Sequence, residues 1–146
     1  MRNIFFNPFP QVLDGYPLNT GTWEEKVDRG IFIDNIRSQG YEVNIPGKFD
    51  LFLDLDTTKS IEEMPDKLDK LRRIFGVGLK VDQVTTSNSG NMHAYIVSDT
   101  AILNEPAQYA MQMFLGSDPV KEALSIQRYS VGITPACILI EGQWKN

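Results

Sequence analysis

The order of apolar runs from residue 50 onward constrains the fold of this chain most, because strand and helix patterns follow one another in a fixed sequence. Short apolar runs bounded by turn residues predict strands. Apolar residues at helical spacing, such as Ile61, Met64 and Leu68, predict a helix, which Ser60 and Glu63 would cap. The predicted strands are 50–56, 79–86, 92–97 and 136–140, and the predicted helices are 60–75 and 104–129, the latter broken at 116–119.

This strand–helix–strand–strand–helix–strand order is that of an α+β, ferredoxin-like or RRM-like fold, in which an antiparallel sheet carries its helices on one face. The first and third of these strands are neighbours in such a sheet. Residues 1–48 are expected to form an N-terminal extension, with a strand at 2–6, a helix from Thr22 to about Ser38 and a strand at 41–45. Residues 49–146 would be the core, and the 146 residues suit a single domain.

Two carboxylates, Asp54 and Asp56, stand at the end of the first core strand. Side chains alternate across a strand, so both are expected on one face. Two like charges there repel each other, and a divalent cation such as Mg²⁺ or Mn²⁺ would offset that repulsion, since hard cations prefer oxygen ligands. The alternative is an exposed strand end at which both carboxylates meet water.

His93, the single histidine, begins the third core strand. The predicted sheet places it beside Asp54 on the open sheet face. The preceding turn contains Ser87, Ser89 and Gly90, whose hydroxyls and backbone N–H groups can hold phosphate oxygens, and glycine allows a close approach of the backbone. The alternative is a structural histidine after an ordinary hairpin turn.

Arg128 is the best basic candidate near this site, because it precedes the last strand and a guanidinium suits bidentate phosphate contacts. The alternative is a surface or carboxylate-paired arginine. A net charge of −5 argues against broad attraction to nucleic acid or anionic membranes. The single cysteine, Cys137, is expected to be a buried apolar residue. No apolar run is long enough to cross a bilayer and no signal peptide is evident, so a cytoplasmic location is expected.

Three motifs together resemble those of the archaeo-eukaryotic primase superfamily: Asp54-Leu55-Asp56, residues 89–95 with Ser89 and His93, and a late apolar strand ending in Glu141. Members of that superfamily use an RRM-like catalytic core, two divalent metals and nucleoside triphosphates to start or extend a nucleic-acid strand. The resemblance implies a primase-like nucleotidyltransferase of DNA replication that requires Mg²⁺ or Mn²⁺.

The resemblance also assigns roles to residues. Asp54 and Asp56 would hold metal, with Glu141 as the third acid, and Ser89 and His93 would contact the triphosphate. Together with the turn and the arginine described above, the predicted nucleotide-binding residues are Ser87, Ser89, Gly90, His93 and Arg128. The predicted catalytic residues are Asp54, Asp56 and His93.

This sequence departs from the family's pattern in several places. The family's serine usually stands two residues before the histidine, where this chain has Asn91, and the third acid is usually an aspartate rather than Glu141. In an idealised sheet Glu141 lies at the opposite end from Asp54, unless the last strand bends or its pairing is offset. The chain has no zinc motif, no helicase region and little sequence for gripping a single-stranded template, so a partner protein would help to hold one.

Two other classes of function stay open. Asp54-Leu55-Asp56-Thr57-Thr58 also fits the nucleophile motif of haloacid-dehalogenase-like phosphatases, whose fold needs a parallel sheet, a downstream lysine and a further acidic pair. A non-catalytic adaptor or inhibitor with a degenerate primase-like fold would suit the small size, the acidic pI of about 4.8 and the glutamate in place of the third aspartate.

Overall fold

The computed structural model describes residues 12–13, 16–17, 23–86, 90–102 and 104–142, with side chains from residue 29 onward. The elements are β1 (Val12–Leu13), β2 (Tyr16–Pro17), α1 (Trp23–Ser38), β3 (Glu42–Asn44), β4 (Asp50–Leu55), α2 (Thr58–Phe75), β5 (Leu79–Thr86), β6 (Met92–Ser98), α3 (Glu105–Phe114), α4 (Pro119–Ser130) and β7 (Leu139–Glu141). The predicted strand at 2–6 and the predicted cap at Thr22 lie outside the described residues.

The central sheet has three antiparallel strands in the order β4-β6-β5, and β3 pairs with β7 in a separate antiparallel ladder. This α+β architecture is compatible with a ferredoxin-like arrangement, which confirms the predicted fold class. All strand pairs in the described part of the chain are antiparallel. The parallel sheet that a haloacid-dehalogenase-like phosphatase needs is therefore not found there.

One face of the central sheet packs against α2. Alternate residues of β4, namely Leu51, Leu53 and Leu55, have no exposed surface and meet the apolar side of α2. The predicted cap of α2 is wrong by three residues. Thr57 accepts a hydrogen bond from the Ser60 backbone N–H, while the Ser60 hydroxyl accepts one from the Thr57 backbone N–H. Because this reciprocal pair satisfies the first orphan N–H groups, the helix begins one turn earlier.

Side chains of α3 and of the α3–α4 loop cover the outer edge of β4, where a four-stranded ferredoxin-like sheet would have a fourth strand. Gln112 accepts a hydrogen bond from the Phe52 backbone N–H (2.9 Å), and Ser117 accepts one from the Asp54 backbone N–H (3.0 Å). The predicted break between two helices at 116–119 is confirmed, and it brings Ser117 to this edge. The edge is thus satisfied by polar side chains instead of a strand ladder.

The last strand is shorter than the predicted 136–140, because regular pairing starts only at Leu139, opposite Asn44 of β3. Leu139 packs on Phe52 and Tyr95, on the sheet face away from α2, and the two rings form a T-shaped pair at 4.7 Å. The face that was predicted to be open is therefore partly covered. The division of the chain at residue 48 stays a prediction.

No helix in the described ranges is long and apolar enough to pass through a membrane.

Candidate functional site

Asp54 and His93 are direct cross-strand partners in β4 and β6. His93 Nε2 lies 3.6 Å from Asp54 Oδ1, and the two side chains are 9% and 21% exposed. The prediction that they lie on adjacent strands with their side chains on one sheet face is thereby confirmed. The local strand order and the two-residue side-chain period were sufficient to find this pair.

Asp54 has a buried oxygen, Oδ1, that accepts no hydrogen bond within the described part of the chain. Burial raises the pKa of this carboxyl above its usual value, although nearby His93 and Lys121 act in the opposite direction. A buried acceptor without a donor is unfavourable by about 1–3 kcal/mol. The site therefore presents an oxygen that a cation, a proton or a water molecule would stabilise.

Glu141 joins this site through β7. Its Oε2 accepts hydrogen bonds from the Thr85 hydroxyl (2.8 Å) and the Tyr95 hydroxyl, and it lies 2.9 Å from His93 Nδ1. Asn44 of β3 donates to the Tyr95 oxygen (3.0 Å). Burial and the bond to Glu141 both raise the pKa of Tyr95, so its hydroxyl stays protonated and donates. Glu141 reaches this end of the central sheet from β7, which pairs with β3 in a separate ladder.

A second cluster of polar side chains, centred on Lys121, acts on Asp54. The Lys121 ammonium donates to Glu122 Oε2 (2.9 Å) and to the Phe52 carbonyl (3.4 Å), and lies 3.6 Å from the Cys137 sulfur. Burial would lower the pKa of Lys121, but Cys137, Glu122 and Asp54 together raise it above its usual value. The lysine is therefore charged and contributes a positive field at Asp54. Cys137 is buried, as predicted.

Asp56 is exposed and follows the last residue of β4, so it lies just beyond the strand that was predicted to include it. It is close enough to raise the pKa of Asp54 by charge repulsion. Asp56 thus acts on Asp54 by charge repulsion, and Asp54 is the one of the two that lies within β4.

The remaining candidates are the residues of the predicted turn and Arg128. Ser87 and Ser89 lie outside the described residues. Gly90 has a φ of 86°, a left-handed conformation that favours glycine. Arg128 lies in the last turn of α4 with only 9% of its surface exposed, so its guanidinium is not displayed openly. Its predicted role in phosphate binding stays a prediction.

The donor set at Asp54 and Asp56 fits a hard divalent cation, because both are carboxylates and Asp54 Oδ1 has no hydrogen-bond donor among the described residues. Within those same residues, no group of three or more His, Cys, Asp or Glu side chains is arranged to hold a metal ion. The protein would thus supply two carboxylates, and further ligands would come from water or substrate oxygens.

Sequence reasoning missed four residues of this site. Tyr95 and Thr85 could have been found, since Tyr95 stands two residues after His93 on its strand and Thr85 is the cross-strand partner of His93 in β5. Asn44 and Lys121 gave no signal, because their positions depend on the pairing of β3 with β7 and on the packing of α4.

Comparison of the chain with protein-family models, with curated proteins and with solved structures found no match.

Proposed function

We propose that this protein is a metal-dependent nucleotidyltransferase that joins nucleoside triphosphates on a single-stranded nucleic-acid template, in the manner of a primase-polymerase core. The observation that supports it most is the position of His93 between Asp54 and Glu141. These residues come from three distant segments, and their order along the chain is the order of the three motifs of that superfamily. We expect the protein to act in the cytoplasm.

The roles of the residues follow from their surroundings. Asp54 and Asp56 would hold Mg²⁺ or Mn²⁺, and such an ion, when bound, neutralises triphosphate charge during in-line displacement. The Ser117 hydroxyl accepts a hydrogen bond from the Asp54 backbone N–H, and the Asp118 N–H donates to the Asp54 carbonyl, so the backbone that carries the carboxylate is fixed. Lys121 adds positive charge behind it. Phosphoryl transfer depends mainly on positioning and charge neutralisation, and these groups are of the kinds that supply both.

The triphosphate would lie against the turn before β6. His93 Nε2 faces Asp54, and there it can form a hydrogen bond with the triphosphate, as donor or as acceptor. Backbone N–H groups around Gly90 would hold phosphate oxygens, with Ser87, Ser89 and Arg128 as further proposed contacts. The acidic net charge of −5 leaves nonspecific template binding weak, so we propose that a partner protein helps to hold the template.

A non-catalytic adaptor or inhibitor is the second candidate. It is favoured by the burial of the cluster, since His93 and Glu141 have side chains only 9% and 15% exposed. Buried and hydrogen-bonded polar groups commonly serve to specify a fold. The assay below separates the two functions.

The direct test is synthesis and extension of primers with labelled nucleotides, in Mn²⁺, on single-stranded DNA and RNA templates. The wild type is expected to form product, and His93→Ala is expected to bind triphosphate about 1–3 kcal/mol more weakly, because a charge-assisted hydrogen bond is lost. Glu42→Gln, which removes an exposed carboxylate of β3, serves as the control. A wild type that neither forms product nor binds nucleotide would support the adaptor.

The stability of His93→Ala needs its own measurement. On the open sheet face that the sequence predicted, this change would leave folding nearly intact. The structure instead buries His93 and bonds it to Glu141, so we expect unfolding to become easier by about 1–3 kcal/mol. Nucleotide binding is therefore compared at a temperature at which circular dichroism shows both proteins folded.

A further inference from the structure

Glu141 is held more firmly than any other carboxylate of the site. Two hydroxyl groups donate to its Oε2, Thr85 from β5 and Tyr95 from β6, and His93 Nδ1 of β6 lies 2.9 Å from the same oxygen. Asn44 of β3 donates to the Tyr95 oxygen, which itself donates to Glu141. A carboxylate oxygen engaged in this way is already stabilised without a cation.

The imidazole ring of His93 separates Glu141 from Asp54. Nδ1 faces Glu141 Oε2 at 2.9 Å, and Nε2 faces Asp54 Oδ1 at 3.6 Å. The two ring nitrogens point away from each other, so the two carboxylate oxygens lie on opposite sides of the ring. An Mg²⁺ ion bonds its oxygen ligands at about 2.1 Å, and a single ion cannot span a ring at that distance.

We propose that Glu141 is a positioning residue for His93: it keeps the proton on Nδ1 and so directs Nε2 toward Asp54, and it is not a ligand of the cation on Asp54 and Asp56. The metal clause of this inference rests on the proposed function, whereas the orientation of His93 does not. Because Glu141 Oε2 already accepts from two hydroxyl groups, a third hydrogen-bond donor suits its position best, and His93 Nδ1 lies 2.9 Å from it. Thr85 and Tyr95 hold Glu141 in place, because both donate to the same oxygen.

The first test uses the fact that His93 is the only histidine, so that imidazole nitrogen signals of the ¹⁵N-labelled protein belong to it alone. Long-range ¹H–¹⁵N spectra of the folded protein are recorded at mildly alkaline pH. Nδ1 is expected to carry a proton in the wild type, whatever the state of Nε2. Glu141→Ala is expected to lose this preference for a proton on Nδ1. Glu42 is the cross-strand neighbour of Glu141, and Glu42→Gln is expected to keep the preference.

The inference would be overturned if Nδ1 of the wild type carried no proton. It would also be overturned if folded Glu141→Ala kept the proton on Nδ1 as the wild type does. The wild-type spectrum alone decides the question if the alanine variant does not fold.

Calorimetric titration with Mn²⁺ tests the second clause. Glu141→Gln is expected to bind Mn²⁺ within about threefold of the wild type, whereas Asp54→Asn is expected to lose more than about tenfold. An equal loss in both variants would make Glu141 a metal ligand and overturn the clause. If the wild type binds no Mn²⁺, the metal part of the proposed function fails, and the imidazole spectra still decide the role of Glu141.

Discussion

Asp54→Asn is expected to weaken Mn²⁺ binding by more than about tenfold and, at the same time, to make the metal-free protein more stable. The carboxylate has a buried oxygen without a donor in the described part of the chain, and burial raises its pKa. An asparagine removes the buried charge, and its amide group can donate to His93 Nε2. We expect the melting temperature to rise by roughly 2–4 °C, which corresponds to about 1 kcal/mol.

The measurements are calorimetric Mn²⁺ titration and thermal unfolding in the presence of a chelator. Asp56→Asn is expected to weaken Mn²⁺ binding without stabilising the protein, because Asp56 is exposed. Asp82→Asn removes an exposed carboxylate of β5 and should change neither quantity. Unaltered Mn²⁺ affinity in Asp54→Asn would contradict the assignment of Asp54 as a metal ligand. A fall in its melting temperature would contradict the claim that the buried carboxylate destabilises the metal-free protein.

Lys121→Met is expected to lower the free energy of unfolding by about 3–5 kcal/mol, which is the usual effect of breaking a buried ion pair by removing one partner. Glu122 has no exposed surface, and the Lys121 ammonium lies 2.9 Å from its Oε2. Gln112 donates to the other oxygen of Glu122, but a neutral amide does not neutralise the charge. Asp54 also loses its nearby positive charge.

Urea unfolding of four proteins tests this expectation. The double variant Lys121→Met with Glu122→Gln is expected to recover most of the lost stability, because it removes the unpaired carboxylate and leaves an amide beside Gln112. Lys70→Met, on the exposed side of α2, is the matched control and should change stability by less than about 0.5 kcal/mol. Two results would contradict a stabilising buried ion pair between Lys121 and Glu122. One is a loss of unfolding free energy below about 1 kcal/mol in Lys121→Met, and the other is a double variant as unstable as the single one.

The parts of the site that could be predicted from sequence are those that local rules fix. Alternation along β4 and β6 and the strand order of the core placed Asp54 beside His93, and the contact of 3.6 Å follows from their register. The pairing of β5 with β6 joins strands that are consecutive along the chain. These features depend on short-range periodicity, which a sequence displays directly.

The parts that could not be predicted depend on long-range pairing. An idealised sheet put Glu141 at the far end from Asp54, but β7 pairs with β3, and the edge of β4 is covered by polar side chains of α3 and of the loop after it. Residue patterns in β7 do not specify that partner. Lys121, seven residues before the predicted Arg128, is a further basic group that acts on Asp54, and its position depends on the packing of α4.

The most direct measurement of the central claim is the effect of Mn²⁺ on the imidazole signals of His93, which as the only histidine is observed without overlap. Because Mn²⁺ is paramagnetic, substoichiometric amounts are expected to broaden the His93 signals of the wild type before its other signals. A nucleoside triphosphate should strengthen this broadening. Mg²⁺ should shift the signals without broadening them, and a variant with Asp54→Asn and Asp56→Asn should keep them sharp. Signals of the wild type that stay sharp while Mn²⁺ is in excess would contradict a metal site at Asp54.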